Sequence, residues 1–329
     1  MANNFLHNTC AGGRTSQGIN RAIDRAFSSF GEYRKPLIAC LVGQPEARTQ
    51  QEHRAVPLFI FPEEAVSSLG HAVEYGKWLQ QPKGHIPEFP NIKSDQARSL
   101  VDEAMKSSPE RPFWLSTPQA CQLLDYCGIN TVETAFASTA DEAAEKAAQI
   151  GFPTAVKMNS ATIAHKTEVG GIILGVETEQ EVKEAFNEIR SRLSRENREA
   201  EMDGVVLQHM VSGGIETIAG VSEDPTFGHL IMFGIGGVYT ELLHDVAVRL
   251  HPLTDVKCEA MIESLQLSGL LKGWRGNPPS DIEALKDMLL RLSFLVEQIQ
   301  EITEVDLNPV MALPEGEGYR VLDPKIRLS

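Results

Sequence analysis

The first 80 residues show short apolar runs separated by amphipathic stretches. A helical pattern over about 17–30 precedes the apolar run Pro36–Gly43, and a second run, Val56–Phe61, leads into a helix that begins at Pro62. Proline and acidic residues suit the first turn of a helix. Strands that alternate with helices predict a parallel sheet. Because this segment is small and opens without a clear strand, we expect it to be incomplete or to lean on a neighbouring chain; independent cooperative folding of residues 1–80 would refute this.

Polar, proline-bearing sequence over 81–112 predicts a linker to a second module at 113–329. We predict that this module has two subdomains, about 113–204 and 205–329. Its elements alternate between helix and strand. Helices are predicted over 117–127, 140–149, 179–198, 255–271 and 282–302, and strands over 171–177, 205–211, 216–234 and 305–326 with turns between them. The module therefore predicts a mixed α/β fold.

One strand that ends in a basic residue is the first candidate for binding chemistry. Thr154–Val156 is apolar and partly β-branched, so it predicts a buried strand that brings Lys157 to its end, where a cation can meet a phosphate. The loop that follows carries hydroxyl, basic and glycine residues that suit an anion: Ser160, Thr162, Lys166, Gly170 and Gly171. The P-loop pattern GxxxxGKS/T is absent. An ordinary β-turn-β connection with a solvated lysine is the alternative.

Three oxygen-bearing side chains near residue 310 predict a metal site. Asp306 and Asn308 are two apart on a predicted strand, so their side chains leave the same face. Asp323 lies on the strand after a predicted turn at 314–318 and can face them in an antiparallel pair. Hard oxygen ligands with room for phosphate suit Mg²⁺. The alternative is an Asp-x-Asn-Pro sequence that only flanks a turn.

Composition and charge narrow the classes of function. The 329 residues allow two or three domains, each with a core of its own. The chain has 45 acidic and 30 basic residues, and the resulting net charge of −15 disfavours nucleic acid and anionic membranes as partners. Five cysteines without a CxxC pair fit a reducing cytoplasm. No apolar run reaches the length of a membrane span, about 20 residues, and no export leader is evident, so we expect a cytoplasmic protein.

Three motifs that occur in order, HKTEVGGI, EDPTFGHLIMFGIGGVYTELLHDVAVRLHPL and EVDLNPV, resemble those of one enzyme family. This is the NDP-forming acyl-CoA synthetases, the family of ADP-forming acetate–CoA ligase, which is related to succinyl-CoA synthetase. The resemblance implies an ATP-grasp fold over 113–329. The stretch Lys35–Trp78 is similar to the tail of the family's CoA-ligase-like domain, which implies a partial flavodoxin-like α/β segment over 1–80. The implied fold class is α/β (α+β).

The family converts an acid, CoA and ATP to acyl-CoA, ADP and phosphate through an acyl phosphate and a phosphorylated histidine. The resemblance therefore implies an acid–thiol ligase that uses ATP/ADP and Mg²⁺. It implies that His165 is the phosphate carrier, with Asp306 as its carboxylate partner. Asn308 and Asp323 match the magnesium-binding pair. Together with the loop residues, the expected nucleotide-binding set is Lys157, Lys166, Gly170, Gly171, Gln208, His209, Met210 and Glu216.

Elementary chemistry supports the carrier role of His165. A neutral imidazole, with a pKa of about 6.5, is a competent nucleophile toward phosphorus, and a carboxylate on its other nitrogen fixes the tautomer and stabilises the cation. Phosphoryl transfer then needs alignment and neutralised charge, which Lys157, Mg²⁺ and loop N–H groups could supply. The alternative is a polar loop residue that only touches phosphate.

The sequence departs from the family pattern in two ways. The CoA-binding domain, and the domain whose histidine attacks the acyl phosphate, have no counterpart here. CoA and a small carboxylic acid would therefore bind on domains supplied by a CoA-binding subunit or a homo-oligomer. In the first helix of the ATP-grasp part, Cys121 stands where the family usually has a lysine, which predicts weaker nucleotide affinity or a changed role.

These departures keep other functions open. One alternative is a catalytically silent nucleotide-binding chain that regulates or scaffolds a partner, and another is a truncated inactive fragment. An ATP-grasp ligase that joins a carboxylate to an amine would share the fold but not the HKTEVGG loop.

The remaining polar candidates are ambiguous. Glu241 and Asp245 are four apart and would share a helix face, either as a site or as an ordinary helix start. Arg249 and Arg275 could clamp phosphate or pair with acids. Four histidines lack a convincing metal spacing and are expected to be structural: His209, His229, His244 and His251.

Overall fold

The structure is a computed structural model that describes residues 36, 38–40, 56–160, 163, 169–237 and 245–329. The predicted helix over 17–30 lies outside the described residues, as do the predicted site residues Thr162, His165 and Lys166 and the candidates Glu241 and His244. The chain divides into two compact units, Met1–Pro82 and Lys83–Ser329.

The first unit contains two short parallel strands and a helix. β1 (Ala39–Cys40) pairs with β2 (Leu58–Phe59), and α1 (Pro62–Gln80) follows. The parallel pairing predicted from the sequence is therefore confirmed for these residues. Ala65 is the one buried residue of α1, whereas Val66 and Trp78 are exposed. That this segment leans on further protein remains a prediction.

A four-stranded antiparallel sheet forms one part of the second unit. Its order is β4 (Thr134–Ala137), β7 (Gly204–His209), β5 (Thr154–Asn159) and β6 (Ile172–Val176). Two helices, α4 (Ala140–Ile150) and α5 (Glu179–Arg195), pack with it. Thr139 and Thr178 each accept a hydrogen bond from the backbone N–H three residues on, which fixes where the two helices begin.

Seven strands form the second sheet, in the order β10 (Val246–Leu250), β9 (Gly228–Ile235), β8 (Ile215–Asp224), β11 (Ile302–Ala312), β13 (Pro324–Leu328) and β3 (Phe113–Trp114), with β12 (Tyr319–Val321) paired to β11. Its core includes helices α2 (Ser94–Ser107), α3 (Thr117–Tyr126), α6 (Asp255–Glu263), α7 (Ser268–Leu271) and α8 (Ile282–Gln298). On β11, Val305 and Leu307 are buried in this core, so alternation places Asp306 on the opposite face.

The structure differs from the predictions at three boundaries. The predicted linker, 81–112, contains α2, which buries Ala97, Val101 and Ala104; its apolar stripe is mostly alanine, so the composition reads as polar. The strand that begins at residue 204 pairs in the four-stranded sheet, so the change of sheet comes after β7 rather than at 204/205. The predicted helix over 255–271 is two helices, α6 and α7, because a turn separates them.

A scan of the helices in the described part of the chain finds none with both the length and the apolar character to span a membrane.

Candidate functional site

Lys157 lies within a central strand of the four-stranded sheet. β5 pairs with β7 on one side and β6 on the other, and Lys157 is opposite Val206 and Ile172. Its neighbours Val156 and Met158 are buried, whereas Lys157 itself is partly exposed. The strand continues to Asn159, so the prediction that Lys157 ends the strand is wrong; the polar residue Asn159 still pairs, with Gly204. Lys157 is thus held by backbone ladders on both sides.

The predicted pair Gly170–Gly171 closes the loop after β5 back onto that strand. Gly170 has a φ of +63°, and a Cβ there would lie 2.7 Å from Nη1 of Arg192. That guanidinium donates to the Gly170 carbonyl at 2.6 Å, and the Met158 N–H donates to the Gly171 carbonyl, also at 2.6 Å. Glycine is favoured at 170 because the left-handed conformation strains other residues, and a side chain there would displace the Arg192 guanidinium. The two carbonyls therefore face protein.

Gln208, His209 and Met210, three residues of the expected nucleotide-binding set, all have contacts inside the protein. Gln208 is buried, and its amide nitrogen donates to Thr134 Oγ1 at 3.2 Å and to the Leu322 carbonyl at 2.8 Å. The exposed His209 has Nδ1 3.3 Å from the Gly151 carbonyl. The Met210 N–H donates to the Pro153 carbonyl at 2.9 Å. His209 and Met210 thus connect the end of β7 to the segment before β5, and Gln208 contacts the segment between β12 and β13 of the second sheet.

Glu216 lies on β8 under a second pair of glycines, Gly236 and Gly237. The Gly236 N–H donates to the Glu216 carbonyl at 2.7 Å. Gly237 has a φ of +67°, and a Cβ there would lie 3.0 Å from Oε2 of Glu216. Glu216 is exposed, and the backbone of Gly237 approaches its carboxylate closely. The positive φ of Gly237 favours glycine at this position.

Asp306 lies between two strands and beside a lysine. It is opposite Gly220 on β8 and Lys325 on β13, and Nζ of Lys325 is 4.0 Å from its Oδ2. Burial raises the pKa of Asp306; Lys325 opposes this shift, and the carboxylates of Asp323 and Glu304 add to it. Asp323 is therefore close enough for its charge to act on the Asp306 carboxyl.

Asn308 and Asp323 lie at breaks in neighbouring strands. The β8–β11 ladder runs to Leu307 and resumes at Val310, which leaves Asn308 and Pro309 unpaired in register; proline has no N–H to donate. Asp323 lies between β12 and β13 rather than on a strand, which corrects the prediction. The Leu322 N–H donates to the Pro309 carbonyl at 3.0 Å, so the two breaks meet.

The donor set fits a hard cation with few protein ligands. Asn308 is exposed and Asp323 partly exposed, so both oxygens have access to a ligand from outside. Within the described residues no group of three or more His, Cys, Asp or Glu could hold a metal. One amide and one carboxylate suit Mg²⁺, which completes its shell with phosphate and water, better than they suit a zinc site.

Cys121 lies on α3 at the edge of this region. It is partly buried, and burial raises the pKa of its thiol; the hydroxyls of Thr131 and Thr134 oppose this shift, and the charge of Asp323 adds to it. Cys121 therefore lies near both the candidate metal ligand and the threonine that accepts from Gln208. Sequence reasoning missed Thr134 and Leu322.

Other polar candidates have structural contacts. Asp245 is buried and accepts from the N–H groups of Gln266 and Leu267, so it closes the turn before α7 and is not a partner on a helix face. Arg249 donates to the Ala260 carbonyl and to Ser264 Oγ.

Arg275 and two histidines are also held by the protein. Arg275, with a φ of +50°, lies over the ring of the exposed Trp274 at 5.9 Å. His229 and His251 bond to the carbonyls of Ile302 and Ser293, as expected for structural histidines.

Comparison with known proteins identifies the fold family. The model of the ATP-grasp domain family matches residues 106–328. The structure of dinucleotide-forming acetyl-coenzyme A synthetase 1 from Ca. Korarchaeum cryptofilum, in complex with coenzyme A, Ca-AMPCP and HgCl⁺, matches with a TM-score of 0.66 at 36% identity, covering 71% of this chain and 100% of that chain. The ATP-grasp fold predicted for the second module is thereby confirmed.

Relatives of known function place the chain more narrowly. The ADP-forming 4-hydroxybutyrate–CoA ligase of Nitrosopumilus maritimus is 36% identical over 300 residues, which are 90% of this chain but only 42% of that protein. The β subunit of ADP-forming acetate–CoA ligase II from Pyrococcus furiosus is 41% identical over 212 residues, 64% of this chain and 90% of the subunit. The chain therefore belongs to the ATP-grasp family and, within it, to the ADP-forming acyl-CoA ligases, where it corresponds to the β-subunit-like part.

Proposed function

We propose that this chain is the nucleotide half of an ADP-forming acyl-CoA synthetase, binding ATP or ADP with Mg²⁺ and passing a phosphoryl group between the nucleotide and His165. The observation that carries the proposal is the Leu322–Pro309 hydrogen bond, which joins the two strand breaks at the residues next to Asp323 and Asn308. Asn308 and Asp323 offer two accessible oxygen donors, and Mg²⁺ commonly binds one or two protein oxygens when phosphate oxygens complete its coordination shell. Membership of the ADP-forming acyl-CoA ligases supports the same assignment.

The residues divide the work of phosphoryl transfer. Asn308 and Asp323 would hold Mg²⁺, which neutralises charge on the phosphates when bound. Lys157, fixed by ladders on both sides, supplies a second positive charge. A ring nitrogen of His165 forms the N–P bond as the bond from the γ-phosphorus to its bridging oxygen breaks, and ADP leaves with that electron pair. Asp306 would orient the imidazole and stabilise its cation.

The acyl-CoA half of the reaction needs domains from elsewhere. The phosphoryl group would pass from His165 to the histidine of the partner domain and from there to the carboxylate of a small acid. The thiolate of CoA would then displace phosphate from the acyl phosphate. We place the acid and CoA on a partner CoA-binding subunit or in a homo-oligomer, because the fused N. maritimus relative is more than twice as long as the matched region. A cytoplasmic setting suits five cysteines without a CxxC pair.

Labelling with [γ-³²P]ATP tests the proposal directly. Incubation with Mg²⁺ should give acid-labile, base-stable label that is lost in His165→Ala and kept in His71→Ala, which removes an exposed histidine of α1. Added ADP should release the label as ATP. ATP binding without label would favour a catalytically silent chain, and failure to bind ATP would refute the proposal altogether.

A further inference from the structure

The side chain of Gln208 makes the contact on which this inference rests. It is 4% exposed, and its amide nitrogen donates to Thr134 Oγ1 and to the Leu322 carbonyl. The Thr134 hydroxyl gives its own proton to the Val132 carbonyl at 2.8 Å, so toward Gln208 it can only accept. A carbonyl likewise only accepts. Both partners therefore require the NH₂ group of the amide, and the position demands a double donor.

Both backbone polar groups of Leu322 are hydrogen-bonded. Its carbonyl accepts from Gln208 and its N–H donates to the Pro309 carbonyl. Asp323 follows Leu322 directly, and Asn308 precedes Pro309 directly. Two hydrogen bonds, linked by the backbone of Leu322, therefore connect the Gln208 side chain to the positions of both candidate metal ligands.

At its other end Gln208 is fixed to the strand that carries Lys157. Gln208 on β7 is opposite Ala155 on β5, two residues before Lys157. Antiparallel ladders hold such positions rigidly. One buried amide thus links the strand of Lys157 in the four-stranded sheet to the candidate metal ligands Asn308 and Asp323.

We propose that Gln208 is a positioning residue that sets Asn308 and Asp323 at the correct place relative to Lys157, an inference that rests on the proposed function. Its side chain does not need to touch the nucleotide. Losing the donor frees the Leu322 peptide to shift, and Asp323 shifts with it. The property that weakens most is then metal binding in the nucleotide complex, and metal-free nucleotide binding weakens less.

The replacement Gln208→Glu keeps the shape and replaces the NH₂ donor with an acceptor oxygen. A carboxylate would face two acceptor oxygens in a buried place, which is unfavourable. We expect the Kd of Mn²⁺ for the complex with a non-hydrolysable ATP analogue to rise by about tenfold or more. This is the scale expected when one hydrogen bond between neutral groups is lost and a buried polar group is left unsatisfied. The Kd of the analogue measured in EDTA, which reports any direct contribution of Gln208 to nucleotide binding, should rise by a clearly smaller factor than the Kd of Mn²⁺.

Matched variants separate positioning from loss of structure. Thr134→Val removes the second acceptor and leaves the Leu322 bond, so its Mn²⁺ affinity should stay near that of the unmodified chain. Gln208→Met removes the donor without burying a charge, and it takes the place of Gln208→Glu if that variant does not fold. Calorimetric titrations and melting curves are recorded for every variant.

The outcomes are distinct. A selective loss of Mn²⁺ affinity in the Gln208 variants supports the inference. Unchanged Mn²⁺ affinity, or losses of both affinities in parallel with a lower melting temperature, overturns it while the proposed function stands. If the unmodified chain binds neither analogue nor metal, the proposed function fails and this inference fails with it.

Discussion

Asp245 provides the sharpest test of how the second unit is held together. It is 3% exposed, and its two carboxylate oxygens accept from the N–H groups of Gln266 and Leu267 at 2.8 and 2.9 Å. These two donors lie in the turn between α6 and α7, where backbone N–H groups lack partners within a helix. Asp245→Ala removes both bonds. Asp245→Asn keeps one acceptor and turns an NH₂ group toward a backbone donor.

The expected cost follows from the number and type of bonds. A hydrogen bond to a charged group contributes about 1.5–3 kcal/mol, and a donor that regains water recovers part of this. We therefore expect Asp245→Ala to lower the free energy of unfolding by about 3 kcal/mol, and Asp245→Asn by roughly half as much. For a unit of this size, 3 kcal/mol corresponds to a fall in Tm of about 6–12 °C.

Urea unfolding followed by tryptophan fluorescence measures the effect in the correct unit. In a Trp78→Phe background the remaining tryptophans, Trp114 and Trp274, both lie in the second unit. Asp141→Asn is the matched control, because it removes an exposed carboxylate paired with Lys183 and should not move the transition. Coincident unfolding curves for Asp245→Ala and this control would refute the reasoning.

Two further predictions concern charge and thiol chemistry. Arg98 binds both oxygens of Glu301, at 2.8 and 2.6 Å, and lowers the pKa of that carboxyl. The pair is partly exposed, so Arg98→Met should cost about 1 kcal/mol at neutral pH. This stability is present above the pKa of Glu in the unfolded chain and is lost as pH falls through the lower pKa of Glu301 in the folded protein. Equal free energies of unfolding for the unmodified chain and Arg98→Met at neutral pH would contradict the prediction. Burial raises the pKa of Cys127 and of Cys258 to about 12, so at pH 8 iodoacetamide should modify both at least about a hundredfold more slowly in native than in urea-unfolded protein. Mass spectrometry reads the sites, and equal native and unfolded rates would show that the burial is absent.

Features set by local pattern could be predicted from the sequence. The buried run around Val156 predicts a strand there, and the structure contains it as β5. Helix α2 was missed because its buried face is built around Ala97 and Ala104, whose small side chains give a weak periodic signal.

Long-range hydrogen bonds to backbone could not be predicted. The acceptor for Gln208 is a carbonyl 114 residues away, and a carbonyl is present at every position, so no residue type marks it. Asp245 shows the same limit: its spacing from Glu241 suggests a helix pair, yet its partners are the N–H groups of residues 21 and 22 positions later. Side-chain type predicts the capacity for a bond, whereas the fold selects its partner.

The order of the seven-stranded sheet has a consequence for how the protein is made. β8, β9 and β10 are neighbours along the chain and in the sheet, so they can pair as soon as they leave the ribosome. The strand that joins them to the rest, β11, is translated some fifty residues later, and β3 pairs only with β13, which is later still. Until then the free edge of β8 exposes unpaired backbone groups that other chains can bind. Premature termination before residue 302 should therefore give an aggregation-prone product that keeps the open edge.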